Sequence, residues 1–383
     1  MSRSILIWGS VALVALAVAG FGAWLMSLPS ATASAEAPVV PQDEMDAMLA
    51  ALTPPSRDRP LVAVIGLNDA TETTDYLVPT GILRRADVAD VVLLATDPGP
   101  VHLFPALEVE PDATVAAFDA AHPEGADYVI VPAMSRDDDP AVLAWLRSQA
   151  GKGARIIGVC AGAKVVGAAG LLDGRRATTH WYYLRDLLER SPTIDYVADR
   201  RMVTDGSVTT TTGITASMPM MLTLIEAMAG RARAETVARD LGLDRWNARH
   251  ASAAFKLTRP FATTVLANRL AFWNREEFGI PLVPGIDEVS LALVADAWSR
   301  TYRSRAVTLA ASTGAVTTAN GIRVVPDRSA ANWTGNALVT DFTGRPPASA
   351  LDETLQAIAA RYGAATAQVV AMQLEYPRQD VAQ

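Results

Sequence analysis

Apolar positions along this chain gather into short, β-branched runs separated by stretches of mixed character. LVAVIGL (61–67), VADVVLLA (88–95), ADYVIVP (126–132) and the run from Ile156 to Val159 each read as a strand covered on both faces. Runs of roughly four to eight apolar residues bounded by turn formers leave no side for solvent. Between them, Thr73 to Ala86 and Ala141 to Ala150 have the composition of helices, and Gly99-Pro100-Val101 with Leu107 to Val109 suggests a hairpin. Further strands are expected near Tyr196 to Val203 and Val208 to Thr212, followed by a long helix from Met218 to Met228. Strands alternating with helices predict an α/β fold on a mostly parallel sheet. In such sheets, sites form at the carboxyl ends of the strands.

The N-terminus breaks this pattern. No charged residue occurs from Ile5 to Leu28, a run of 24 residues, which as a helix would measure about 36 Å against a hydrocarbon core of about 30 Å. A transmembrane anchor over residues 1–28 is therefore expected, and the lone cation Arg3 places the globular part outside the cytoplasm as a single-pass membrane protein. A cleaved signal peptide is the rival, because Pro29 and Ala31-Thr32-Ala33 resemble a small-residue cleavage site. Residues 29–60 are rich in Ala, Pro and Ser apart from a helical patch at Met45 to Leu52, and read as a tether to the bilayer.

Charge and cysteine content narrow the classes. A chain of 383 residues has length for two ordinary domains, and its formal charge of −8, without any run of Lys or Arg, speaks against a nucleic-acid surface. One cysteine excludes an intramolecular disulfide. None of the four histidines has spacing that suggests a metal site, and no cofactor is expected.

That cysteine, Cys160, stands at the centre of Gly-Val-Cys-Ala-Gly (158–162), where a strand gives way to an alanine-rich helical segment. Gly-x-nucleophile-x-Gly between strand and helix is the elbow pattern, in which a tight turn exposes the side chain. At the start of a helix, the dipole favours the thiolate and lowers its pKa. The N–H of Ala161 would help hold developing negative charge. Lys164, one turn on, either adds to this effect or is a solvated lysine. His180 follows twenty residues after the cysteine. It reads as a general base or orienting group, or as a polar residue packed at a domain edge.

CAGA at the elbow, the following GLLDGRRATTHW and the acidic helix start Asp75-Tyr-Leu-Val-Pro79 together resemble the ThiJ/PfpI family of the class I glutamine amidotransferase-like superfamily. The flavour is that of the amidotransferase-like domain of AraC-type regulators and of isonitrile hydratases. The resemblance covers residues 61–255 and implies a flavodoxin-like sandwich with the cysteine on the elbow. It also implies an acidic residue from the first helix beside the thiol and a histidine nearby, which by position are Asp75 and His180. Asp75 has a plainer reading as a helix N-cap. One departure bears on chemistry: where the family commonly has Pro-Gly-Gly supplying oxyanion-hole N–H groups, this chain has Pro132-Ala133-Met134. The acidic run Asp137 to Asp139 after it reads as a solvated loop.

The C-terminal part echoes the first. Gly314-Ala-Val316 and Val324-Val-Pro-Asp327 repeat Gly99-Pro-Val101 and Val109-Glu-Pro-Asp112 at a constant offset of 215, and Arg361-Tyr-Gly363 echoes the segment around Gly230 at an offset of 133. The drop in offset predicts a truncated second copy over residues 280–383 that lacks the elbow and the histidine. It is joined by a helical connection at 256–279, and its expected role is that of an intramolecular pseudo-dimer partner.

Two classes of function follow. In one, Cys160 attacks a small electrophilic carbon in hydratase, amidase or aldehyde-type chemistry with Asp75 as acid/base. In the other, the domain binds a small molecule or senses oxidation without turnover, as the AraC-type resemblance suggests. No basic recognition helix follows Ala371, so direct transcriptional regulation is not expected. Whether the protein is an enzyme, and on what substrate, stays open at this level.

Overall fold

The computed structural model describes residues 3–31, 36–55, 57–335 and 337–376, with the backbone path alone at 3–7, 9 and 11. Seven strands make the main sheet: β1 (Leu61–Gly66), β2 (Asp90–Ala95), β3 (Ala113–Thr114), β4 (Tyr128–Val131), β5 (Arg155–Gly158), β6 (Met202–Asp205) and β7 (Val208–Thr211). Their spatial order is β6-β7-β5-β4-β1-β2-β3, parallel throughout except for the β6–β7 hairpin. The alternating strand and helix pattern predicts this mostly parallel α/β sheet, and the architecture is the flavodoxin-like one that the family resemblance implies.

Side-chain alternation along β1 divides the core into two layers. Leu61, Ala63 and Ile65 join Phe118, Trp145 and Leu146 on one face, whereas Val62 and Val64 join Leu77, Ile82 and Met221 on the other. Both faces being covered explains the unbroken apolar runs in the sequence. The second layer holds α3 (Thr73–Ala86) and α6 (Ser217–Ala229), while α4 (Pro140–Gly151) and α5 (Gly162–Ala168) lie over the first. The strand expected near 196–203 is instead a short piece at Asp195–Tyr196 followed by β6.

Two N-terminal expectations are corrected. Among the described residues, no helix is long and apolar enough to cross a membrane, which overturns the predicted span and the single-pass, extracytoplasmic placement that rested on it. The helix at this end of the chain is α1 (Arg3–Ser27). Its C-terminal end is tied to the helix Arg259–Leu270, where Arg259 donates to the carbonyls of Met26 and Leu28 and its N–H to that of Pro29. Thr32 and Ala33 of the expected cleavage site lie outside the described residues. Nor is 29–60 wholly a tether. Within it α2 (Gln42–Leu52) buries Met48 and Leu52 in the core, and the Leu52 carbonyl accepts from the Tyr128 hydroxyl.

The C-terminal half has its own parallel sheet of β8 (Glu276–Pro281), β9 (Ser304–Ala310) and β10 (Arg328–Ser329), covered by α7 (Glu288–Ser299), α8 (Pro347–Tyr362) and α9 (Ala364–Leu374). It begins at Glu276, slightly before the predicted boundary near Ile280. Its apolar residues Phe278, Ile280 and Leu291 belong to the same core layer as α3. Leu94 pairs with Ala113 and Leu309 with Arg328, a displacement of 215 residues in both strands. Across the junction Val109 faces Val324 in an antiparallel pairing of 108–110 with 323–325, again 215 residues apart.

Candidate functional site

Cys160 sits in the sharp turn between β5 and α5 with φ +56°, a left-handed conformation that L-residues rarely adopt outside strained turns. The turn is held from three sides. Cys160 N–H donates to Thr211 Oγ1 at 3.1 Å, Thr179 Oγ1 donates to the Cys160 carbonyl at 2.9 Å, and the Ala161 N–H hydrogen-bonds the sulfur. Gly162 permits the approach of α5 to β4, since a Cβ there would lie 1.9 Å from the Val131 carbonyl oxygen.

The elbow does not expose its thiol as the sequence pattern led us to expect. Cys160 is only 4% exposed. Burial pushes the thiol well above its ordinary range, and the carboxyls of Asp75, Glu72 and Glu375 push it the same way. Loss of hydration outweighs the pull of a short helix dipole and of the Ala161 N–H. The expected low-pKa thiolate is therefore corrected to a buried, neutral thiol.

Asp75 lies in the first turn of α3, fully buried. It is not the N-cap, because Glu72 caps the helix by accepting from the Asp75 N–H at 2.6 Å and from the Thr74 hydroxyl at 2.8 Å. Burial, and then the neighbouring Glu72, raise the Asp75 carboxyl well above the carboxylate range, which favours its protonated form. Asp75 Oδ2 accepts from the Ala133 N–H at 3.1 Å, while Oδ1 is buried without a hydrogen-bond partner. That geometry alters the oxyanion reading of Ala133 and Met134. The Ala133 N–H is spent on Asp75, and the segment is tied to the chain before α3 through Glu72 N–H to Ala133 O and Ser135 N–H to Ala70 O.

Three charged residues beside Asp75 were missed from sequence. Arg300 arrives from the C-terminal half and binds both Glu72 and Asp296 at 2.6 Å. Asp296 is itself fully buried and pushed up to about 8, chiefly by burial. A signal existed: Glu72 and Asp287, like Arg85 and Arg300, are 215 residues apart, the same offset as the sequence echoes. The structure forms both crossed ion pairs, Arg85 with Asp287 and Arg300 with Glu72.

His180 is buried with its pKa lowered, first by burial. Its Nδ1 accepts from the Tyr182 N–H, so Nε2 is the protonated nitrogen and donates to the Gln373 carbonyl at 3.0 Å. It adjoins the Thr179 that holds the Cys160 carbonyl, and its side chain faces the end of α9. Lys164 is paired at 2.5 Å with both Asp137 and Asp186 and lies over the Tyr183 ring, so its charge is neutralised away from the sulfur. The acidic run is not simply solvated. Asp137 also pairs with Arg190, and Asp139 caps α4.

Fold and elbow thus define a flavodoxin-like α/β domain with a single buried cysteine at the strand–helix turn. Residues 62–227 match the DJ-1/PfpI family, and this part of the chain is a DJ-1/PfpI family domain. Isonitrile hydratase from Pseudomonas putida is 44% identical over 101 residues, covering 26% of this chain and 42% of that protein. The HTH-type transcriptional regulator CdhR from Pseudomonas aeruginosa is 31% identical over 191 residues, covering 49% of this chain and 53% of that protein. The chain thus spans about half or less of the length of these two relatives. Among solved structures, Drosophila melanogaster DJ-1beta is 23% identical with a TM-score of 0.44, covering 49% of this chain and 100% of that one.

Proposed function

We propose that Cys160 is a nucleophile toward a small electrophilic carbon, with Asp75 as its proton donor. The observation that carries this reading is the pairing of a backbone-strained cysteine, φ +56°, with a fully buried, neutral carboxyl whose Oδ1 has no partner in the protein. Strain of this kind costs about 1–3 kcal/mol and persists where the surrounding structure over-determines it. As sulfur adds to the carbon, the π electrons move to the attached heteroatom, which takes the Asp75 proton. The carboxylate so formed receives the proton that the thiol gives up. The site returns with a new S–C bond and Asp75 again neutral. A carbonyl or imine carbon suits this sequence; with an isonitrile, whose terminal carbon carries a lone pair, the Asp75 proton goes to that carbon and leaves a thioimidate, and the likeness to an isonitrile hydratase puts isonitriles beside amides and 2-oxoaldehydes as substrates to screen. Turnover by the wild type that is lost in Cys160→Ser supports the reading.

A second reading has its own support. The burial and raised pKa of Cys160 suit a resting site that binds a small molecule without turnover, and relatives include HTH-type regulators. Ligand-dependent stabilisation without product would favour it.

In the same proposal, the C-terminal half is a truncated second copy that takes the place of a partner subunit. Support comes from the isologous form of the junction: Val109 faces Val324, and the ion pairs Arg85–Asp287 and Arg300–Glu72 exchange partners as a two-fold axis requires. Through Arg300, this half completes the charge balance around Asp75.

A further inference from the structure

The last described residues of the chain are fastened to the Cys160 site at several points. Trp181 Nε1 donates to the Met372 carbonyl at 2.8 Å, His180 Nε2 to the Gln373 carbonyl at 3.0 Å, and Thr215 Oγ1 to the Glu375 carbonyl at 2.9 Å. The side chain of Glu375 is 2% exposed. Its Oε2 accepts the Gly213 N–H, and its Oε1 lies 2.9 Å from His250 Nε2. The half-buried Arg201 guanidinium and His180 both feel its charge, and that charge is among those that raise the Cys160 thiol.

Two observations mark this carboxylate as more than a capping detail. Glu375 holds φ +53°, whereas Gly242, which follows the preceding helical pair at the 133-residue offset, meets the same left-handed requirement as a glycine. A residue that strains the backbone is retained at Glu375, and its carboxylate is what distinguishes the two positions. Gly213 is pinched between Glu375 and His180. A Cβ there would come within 2.4 Å of Glu375 Cβ and 2.7 Å of His180 Cδ2, so this loop has been left without a side chain so that a carboxylate can reach the N–H.

We infer that the Gly213 N–H and His250, with Arg201 nearby, form a carboxylate-binding subsite beside Cys160, which Glu375 fills as a built-in occupant while the site is closed. The ligand that displaces it carries a small carboxylate. For the ligand's location, this rests on the reading of Cys160 as the centre of the site; the subsite itself does not require a reactive thiol.

Glu375→Gly tests the inference in the full chain, because glycine accepts the left-handed conformation and removes only the occupant. Cys160 in that variant is expected to alkylate with iodoacetamide about tenfold or more faster than in wild type, with millimolar acetate slowing it back. Acetate is also expected to raise the Tm of Glu375→Gly carrying Cys160→Ser, and to leave that of Cys160→Ser alone unchanged. This second readout is independent of thiol chemistry, so an inert Cys160 would remove the nucleophile reading while an acetate shift would still stand. No acetate-dependent Tm shift in the double variant overturns the subsite, whatever the alkylation rate.

Discussion

Arg300 of the C-terminal half lies 2.6 Å from Glu72, the residue that caps the helix carrying Asp75. A guanidinium 13% exposed thus holds, from one half of the chain, the helix start on which the candidate acid of the other half depends. Arg300→Met would leave Glu72 and Asp296 buried without a counter-charge. Breaking one side of such a network costs about 3–5 kcal/mol, readable by urea denaturation. A loss under about 1 kcal/mol would mean that the network is effectively solvated.

Asp296 gives a pH dependence of definite sign. Its carboxyl is pushed up to about 8 in the folded chain from an ordinary value of 3.8, and Asp75 is raised in the same direction. Folding therefore favours their protonated forms. The stability they contribute is complete below the unfolded value and is lost as pH rises through the folded one, here from about 4 to about 8 for Asp296. Asp296→Asn should flatten that slope and be relatively more stable at pH 8 than at pH 4. Denaturant titrations at the two pH values check this, and an unchanged slope would assign the dependence to other groups.

The second half makes a prediction about assembly. If it occupies the place of a partner subunit, the surface formed by α3 and strand 108–110 is already covered within one chain. Light scattering after size exclusion should give one chain per particle. A stable homodimer using that surface would contradict the pseudo-dimer reading.

Much of the architecture was legible in the sequence because strands buried on both faces write themselves as unbroken apolar runs, as in Leu61–Gly66 and Tyr128–Val131. The elbow was legible for a different reason: Gly162 is required by the contact with Val131, so the motif records geometry directly. What the pattern could not show was solvent access. A dipole argument lowers the Cys160 pKa, yet the sign is set first by burial and then by Asp75, Glu72 and Glu375, which come from two distant segments. The repeat offset did hold the information that pairs Arg300 with Glu72, but only once it was applied to charged positions as well as to glycines. The N-terminal apolar run shows the opposite limit, since its composition alone suggested a membrane span that the described helix does not support.

The most direct test of Cys160 as nucleophile and Asp75 as proton donor is intact-mass and product analysis of the full chain incubated with isonitriles, amides and 2-oxoaldehydes, for wild type, Cys160→Ser and Asp75→Asn. The account predicts a thiol adduct or product with at least one class in wild type, none in Cys160→Ser, and a rate lower by about 10²-fold or more in Asp75→Asn. Turnover that survives in Cys160→Ser, or a wild-type thiol that forms no adduct with any of the three classes, would contradict it.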